Sequence, residues 1–162
     1  MIWKITQSPR VDAIFAAPGS PGIAPLATCL GDLRLDRPAS DREGLLQEID
    51  RLVDFVDEHA IDLTVIGPED PLSVGIVDRL ETNGHKVFGP SAAAARIESD
   101  KTFSKDLMAR IGVPTASHRS FSDSDEARAH IRAVGAPIVV KASGLAAGKG
   151  LTVAATIDEA LC

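Results

Sequence analysis

The strongest candidate for chemistry is one ten-residue stretch, Lys141-Ala142-Ser143-Gly144-Leu145-Ala146-Ala147-Gly148-Lys149-Gly150. Its glycines and small side chains let backbone N–H groups come close to a ligand. Lys141 stands just ahead of the loop and Lys149 near its end, so two ammonium groups flank a cluster of amides. That combination suits the charge of a triphosphate. It is not a Walker A loop, in which two glycines four residues apart precede Lys and a hydroxyl, and a helix follows. Here only three residues separate Gly144 from Gly148, Gly150 replaces the hydroxyl, and Leu151-Thr152-Val153-Ala154-Ala155 reads as a strand. A P-loop nucleotidase is excluded on those grounds.

The loop must be held by the elements around it. Pro137–Ala142 reads as the strand that delivers Lys141. Ahead of it, helices are expected over Lys101–Ile111, stopped by Gly112-Val113-Pro114, and over Asp123–Val134, with Ser122 as its cap and Gly135 past its end. A further helix begins at Ile157. Before residue 100 the pattern is different, with short apolar runs alternating with helical periodicity. Ala13–Ala17, Ile61–Pro68 and Lys86–Pro90 read as strands closed by Pro-Gly or Gly-Pro. Residues 43–59 place Leu45, Leu46, Ile49, Leu52, Val53 and Val56 at helical spacing. Leu72–Asn83 reads as one helix ended by Gly84, and Ala92–Glu98 as a short one capped by Ser91. This alternation indicates parallel βαβ units in a doubly wound sheet. In such sheets ligands bind beyond the carboxyl ends of strands, here the loops beginning Pro18-Gly19, Gly67-Pro68-Glu69 and Gly89-Pro90.

Composition narrows the classes. With 44% hydrophobic and 25% charged residues among 162, the chain has the balance of a folded globular protein. Residues 1–99 hold nine Lys/Arg against 16 Asp/Glu, and residues 100–162 hold eight against seven. An acidic chain without a basic stripe argues against a nucleic-acid partner. No apolar run reaches the roughly 20 residues that cross a bilayer, and the first residues are too polar for a secretory signal. A cytoplasmic protein with no membrane partner is expected. Cys29 and Cys162 lack neighbours at metal-ligand spacing and read as isolated thiols. His59, His85, His118 and His130 are assigned no chemistry.

A glycine-rich loop between two strands, preceded by a strand lysine, resembles the phosphate-covering flap of ATP-grasp enzymes. The stretch is similar in particular to the phosphoribosylamine–glycine ligase family, whose usual text is K-A-[DS]-G-L-A-A-G-K-G-V; Leu151 stands for the usual Val. Trp3-Lys4 with Gln7-Ser8-Pro9 resembles the end of that family's first helix. Ala17-Pro18-Gly19-Ser20-Pro21-Gly22-Ile23-Ala24 resembles its A-P-G-N-A-G-[TI]-A loop, with Ser20-Pro21 in place of Asn-Ala. Asp62–Leu72 resembles its D-L-x-[VI]-[VI]-G-P-E-x-P-L. Phe88–Ala92 through Ser99–Lys105 resembles its F-G-P-[ST]-x-x-A-A-x-[IL]-E-x-[SD]-K-x-F-[AS]-K. The likeness covers nearly the whole chain, in order.

The resemblance implies a Rossmann-like substrate domain over residues 1–99, lacking its first strand, followed over residues 100–162 by the beginning of an ATP-grasp domain. It implies condensation of ATP and glycine with 5-phosphoribosylamine to glycinamide ribonucleotide, ADP and phosphate, through glycyl phosphate. Lys101 and Lys141 would contact ATP phosphates. Gly144, Leu145, Ala146, Ala147, Gly148, Lys149 and Gly150 would close over them. Pro18, Gly19, Gly67, Pro68 and Glu69 would help hold the phosphoribosylamine. Magnesium would be needed, with its ligands beyond this chain, and no catalytic or metal-ligating residue is assigned within it. On residue type alone Lys101 reads first as a solvated lysine at a helix start, and Glu69 equally as a residue that favours a helix N-terminus. The expected opening strand and most of the ATP-grasp domain are absent, so the chain reads as a piece cut short at both ends and inactive by itself. Two other readings stand beside this one: a piece of another ATP-grasp ligase, such as a biotin-dependent carboxylase or a carboxyaminoimidazole ribonucleotide synthase, or a non-catalytic nucleotide-binding module.

Overall fold

The computed structural model describes residues 1–142 and 150–162. The chain divides into two compact units, Met1–Ala95 and Arg96–Cys162.

The first unit begins with a short helix, α1 (Ile2–Ile5), and two short strands, β1 (Phe15–Ala16) and β2 (Thr28–Cys29). Helix α2 (Arg42–Glu58), strand β3 (Thr64–Val65), helices α3 (Glu69–Ser73) and α4 (Ile76–Thr82), and strand β4 (Val87–Phe88) follow. Helix α5 (Ala92–Ser99) runs across the boundary between the units. Both strand pairs are parallel, with Phe15 opposite Thr28 and Thr64 opposite Val87. They are two separate two-stranded pieces, an α/β arrangement in which helices bury the apolar side chains.

Helix α2 forms because its apolar residues repeat at helical spacing and its first turn is capped. Asp41 accepts a hydrogen bond from Gly44 N at 3.2 Å. Leu45, Ile49, Leu52, Val53 and Val56 are buried and meet Leu72, Ile76, Val77 and Leu80 in one core. Glu48, the one buried charge among the described residues, is satisfied: its carboxylate accepts from Arg34 N at 3.0 Å and from Arg51 Nη1 at 2.8 Å. The Arg51 guanidinium also donates to Asp32 O, so one network fastens the 32–34 loop to the helix.

Three expectations need correction here. Leu72–Asn83 is not one helix but the end of α3 followed by α4. Gly75 between them has φ 98°, a left-handed conformation that a continuous right-handed helix cannot pass through. The break lets Leu72, Val74, Ile76 and Val77 all reach the core, which one straight helix face could not achieve. The strands are also much shorter than the apolar runs suggested, and β2 adds a strand where none was expected. Apolar sequence extends past the paired residues because loop residues such as Ile61 and Ile66 also pack against the core.

The second unit contains α6 (Lys101–Ile111), α7 (Ser124–Val134), the antiparallel strands β5 (Ile138–Lys141) and β6 (Leu151–Ala154), and α8 (Ile157–Leu161). Gly112 (φ 73°) ends α6. The cap of α7 is Asp123 rather than Ser122; its carboxylate accepts from the amides of Asp125 and Glu126, both at 2.9 Å. Thr156 and Glu159 close a reciprocal capping box on α8. Ile131, Ala154 and Ala160 form the small core of this unit, with Ile138, Val140 and Leu161 packed against it.

Candidate functional site

Alternation along the hairpin decides what Lys141 can do. Ile138 and Val140 of β5 turn toward Ile131, Ala154 and Ala160. Their neighbours Val139 and Lys141 therefore lie on the opposite face. The register pairs Val139 with Val153 and Lys141 with Leu151. Val139, Leu151 and Val153 are 49%, 52% and 71% exposed. Among the described residues, the outer face of the hairpin is thus an exposed apolar strip with the Lys141 ammonium group at its loop end. Ala142 N donates to Gly150 O at 2.7 Å, and Gly150 has φ 73°, so the two ends of the glycine-rich loop meet there. The expected phosphate contacts Gly144, Leu145, Ala146, Ala147, Gly148 and Lys149 lie outside the described residues.

Lys101 occupies the first position of α6. The residues that set it there were not singled out from the sequence. Asp100 caps the helix, accepting from Phe103 N at 3.0 Å, and pairs with Arg96 at 3.2 Å. Arg96 in turn lies over the Phe103 ring, 3.9 Å from its centroid. The signal was available, since an Asp just before a helical run is a ready cap. The Phe103 amide first, and the Arg96 guanidinium second, hold the Asp100 carboxyl below the usual carboxylate range. Because the folded state prefers the charged form, Asp100 favours folding above that range, and the benefit is lost as pH falls through it. Asp100→Asn, which keeps an acceptor but cannot titrate, is expected to reduce the fall in urea midpoint between pH 6 and pH 3.

In the first unit, Pro18 and Gly19 follow β1, and Gly67, Pro68 and Glu69 follow β3, both at carboxyl ends of parallel strands. Gly19 has φ 84°, and a Cβ there would lie 2.4 Å from Cys29 Sγ, so only glycine fits. Cys29 Sγ also lies 3.7 Å from Ser20 O, which makes it the floor of this loop. Pro68 is the N-cap residue of α3, with no side-chain cap bond, and Glu69 is exposed in the first turn. The neighbouring Asp70 is structural, its Oδ1 accepting from Ala39 N at 2.9 Å. A separate cleft of about 410 Å³ between α2 and α4 is lined by Ile49, Asp50, Asp78 and Arg79 among others, and none of the expected site residues borders it. Among the described residues, no group of three or more His, Cys, Asp and Glu is placed to hold a metal ion. No helix among them is long and apolar enough to cross a membrane.

An α/β unit followed in the chain by a hairpin whose connecting sequence is glycine-rich is consistent with an ATP-grasp-type protein, and the comparisons agree. The biotin carboxylase domain of the Hydrogenobacter thermophilus 2-oxoglutarate carboxylase is similar in structure, with a TM-score of 0.58 and 27% identity over 68% of this chain and 25% of that one. Residues 1–98 match the family model described as phosphoribosylglycinamide synthetase, N domain, and residues 99–162 match that family's ATP-grasp (A) domain. The chain belongs to the phosphoribosylglycinamide synthetase family. It is 50% identical over 160 residues to the phosphoribosylamine–glycine ligase of Rhizobium meliloti and 44% identical over 160 residues to that of Escherichia coli. Each match covers 99% of this chain and 35% of the relative, so the chain spans about a third of the length of these enzymes.

Proposed function

We propose that this chain forms the first part of a phosphoribosylamine–glycine ligase, in which its two units hold the sugar substrate and part of the ATP. The carrying observation is the outer face of the β5–β6 hairpin, where Val139, Leu151 and Val153 form an apolar strip ending at Lys141. Such a strip can pack against the flat face of a nucleotide base, while the ammonium group and the glycine-rich loop meet its phosphates. The related carboxylase domain is described in complex with MgADP, which supports a nucleotide in this kind of unit.

Lys101 and Lys141 contact ATP phosphates, and residues 144–150 cover them. The loops Pro18-Gly19 and Gly67-Pro68-Glu69 hold the phosphoribosylamine at the carboxyl ends of β1 and β3. In the whole enzyme the two parallel pairs, separate here, would join one doubly wound, Rossmann-like sheet, with the ATP-grasp domain beginning at residue 100. In the reaction, the glycine carboxylate attacks the γ-phosphorus of ATP and releases ADP, and the sugar amine then displaces phosphate from the acyl phosphate. This chain contributes positioning and positive charge. Magnesium, when bound with the nucleotide, would supply neutralisation of phosphate charge, and no described residue of this chain is assigned to hold it.

The 162-residue polypeptide alone is expected to turn over no substrate, since it spans about a third of the length of the related enzymes and supplies one side of the nucleotide site. Glycine- and phosphoribosylamine-dependent ADP release by this polypeptide would overturn that division of labour. The same release by a longer protein containing it, lost in the Lys141→Ala form, is the outcome expected.

A further inference from the structure

Helix α6 carries Lys101, yet none of its eleven residues is buried. The core of its unit contains no residue from it. Helices in proteins draw most of their stability from packing an apolar face, and Phe103, Leu107 and Met108 of α6 are only half-buried, so polar contacts carry more of its hold. After Gly112 the chain continues without regular structure over residues 113–121, and it is bridged to the helix at three places. Lys105 Nζ donates to Thr115 Oγ1 at 2.5 Å and to Ala116 O at 3.3 Å. Asp106 Oδ1 lies 3.0 Å from His118 Nε2, and Thr102 Oγ1 lies 3.2 Å from Ser120 Oγ. Beyond the last bridge, Phe121 anchors the segment on α7, its ring centroid 5.2 Å from that of His130. The bridges fall at residues 102, 105 and 106, so they bind the half of the helix that bears Lys101.

We propose that residues 113–121 form a strap that positions α6, with Lys105 as its principal clasp and the placement of Lys101 as its consequence. Lys105 is singled out because its one ammonium group engages a side chain and a carbonyl together, and hydrogen bonds from charged donors are the stronger kind. Lys105 is therefore a positioning residue that touches no substrate. Its importance for ATP rests on the nucleotide reading of Lys101 given above, whereas the strap does not.

The test is residue-resolved amide hydrogen exchange on the full 162-residue chain. Lys105→Met, which keeps the apolar stem and removes the donors, is expected to speed exchange over residues 105–111 about fivefold, the scale of a partly exposed charge-assisted bond. Exchange in α2 and in the β5–β6 hairpin should stay unchanged. Lys105→Arg should restore most of the protection, and Thr115→Val should loosen the same amides, with the double variant little worse than either single one. Unchanged exchange in α6, an equal rise in all elements, or full additivity of the two substitutions would overturn the strap. If the exchange pattern holds but the Lys101→Ala chain binds Mg·ATP as tightly as the parent, the nucleotide role of Lys101 falls and the strap stands.

Discussion

Replacing Lys141 with alanine is expected to weaken Mg·ATP binding about 10- to 100-fold in a calorimetric titration, the scale of a charge-assisted hydrogen bond to phosphate. The geometry makes this a clean experiment. Lys141 is exposed at the end of β5, and among the described residues its ammonium group has no hydrogen-bond or ion-pair partner. Its removal should therefore leave stability within about 0.5 kcal/mol of the parent, as is usual for exposed sites. Lost affinity with an unchanged unfolding midpoint assigns the lysine to the ligand. Equal affinity in both proteins would remove Lys141 from the phosphate site. No binding by either would mean that residues outside this chain complete the site.

The largest stability effect is expected in the first unit, at Leu80→Ala. Leu80 is fully buried on α4 and shares the core with Leu45, Ile49, Ile76 and Val77. Truncation removes buried methyl groups and leaves a cavity that the surrounding helices fill only in part. The cost for such sites is about 2–5 kcal/mol, and a position with no exposure on a helix fixed at both ends belongs in the upper half of that range. Urea unfolding followed by circular dichroism should show a much lower midpoint at an unchanged slope. A loss under 1 kcal/mol would mean that the α2–α4 interface relaxes to fill the space. Neither loop proposed for the sugar substrate includes Leu80, so this variant also measures how far that unit can be weakened before it unfolds.

Local rules account for most of what was legible beforehand. Helical spacing of Leu45, Ile49, Leu52, Val53 and Val56 located α2 to within a residue at each end. Gly112 and Gly135 marked the helix ends they were expected to mark. The cap of α7 was misplaced by one residue because Ser122 and Asp123 are both good caps, and only geometry chooses between them. The capping box of Thr156 and Glu159 is legible in the sequence as T-x-x-E. The left-handed Gly75 could not be inferred, because an isolated glycine inside a periodic run is compatible with either a continuous or a broken helix.

What this sequence determined by itself was whatever depends on neighbours in the chain: helix periods, glycine stops, the alternation of strands and helices, and the motif text that places it in its family. The tertiary structure alone decided which apolar runs pair as strands, that Gly75 splits a helix so that both halves reach one core, and that Cys29 lies beneath the Gly19 loop. It also decided that Val139, Leu151 and Val153 lie on the same open face as Lys141. The physical reason is range. Helix periods and caps are set within a turn or so, whereas strand pairing, close backbone approach and burial depend on residues that only folding brings together.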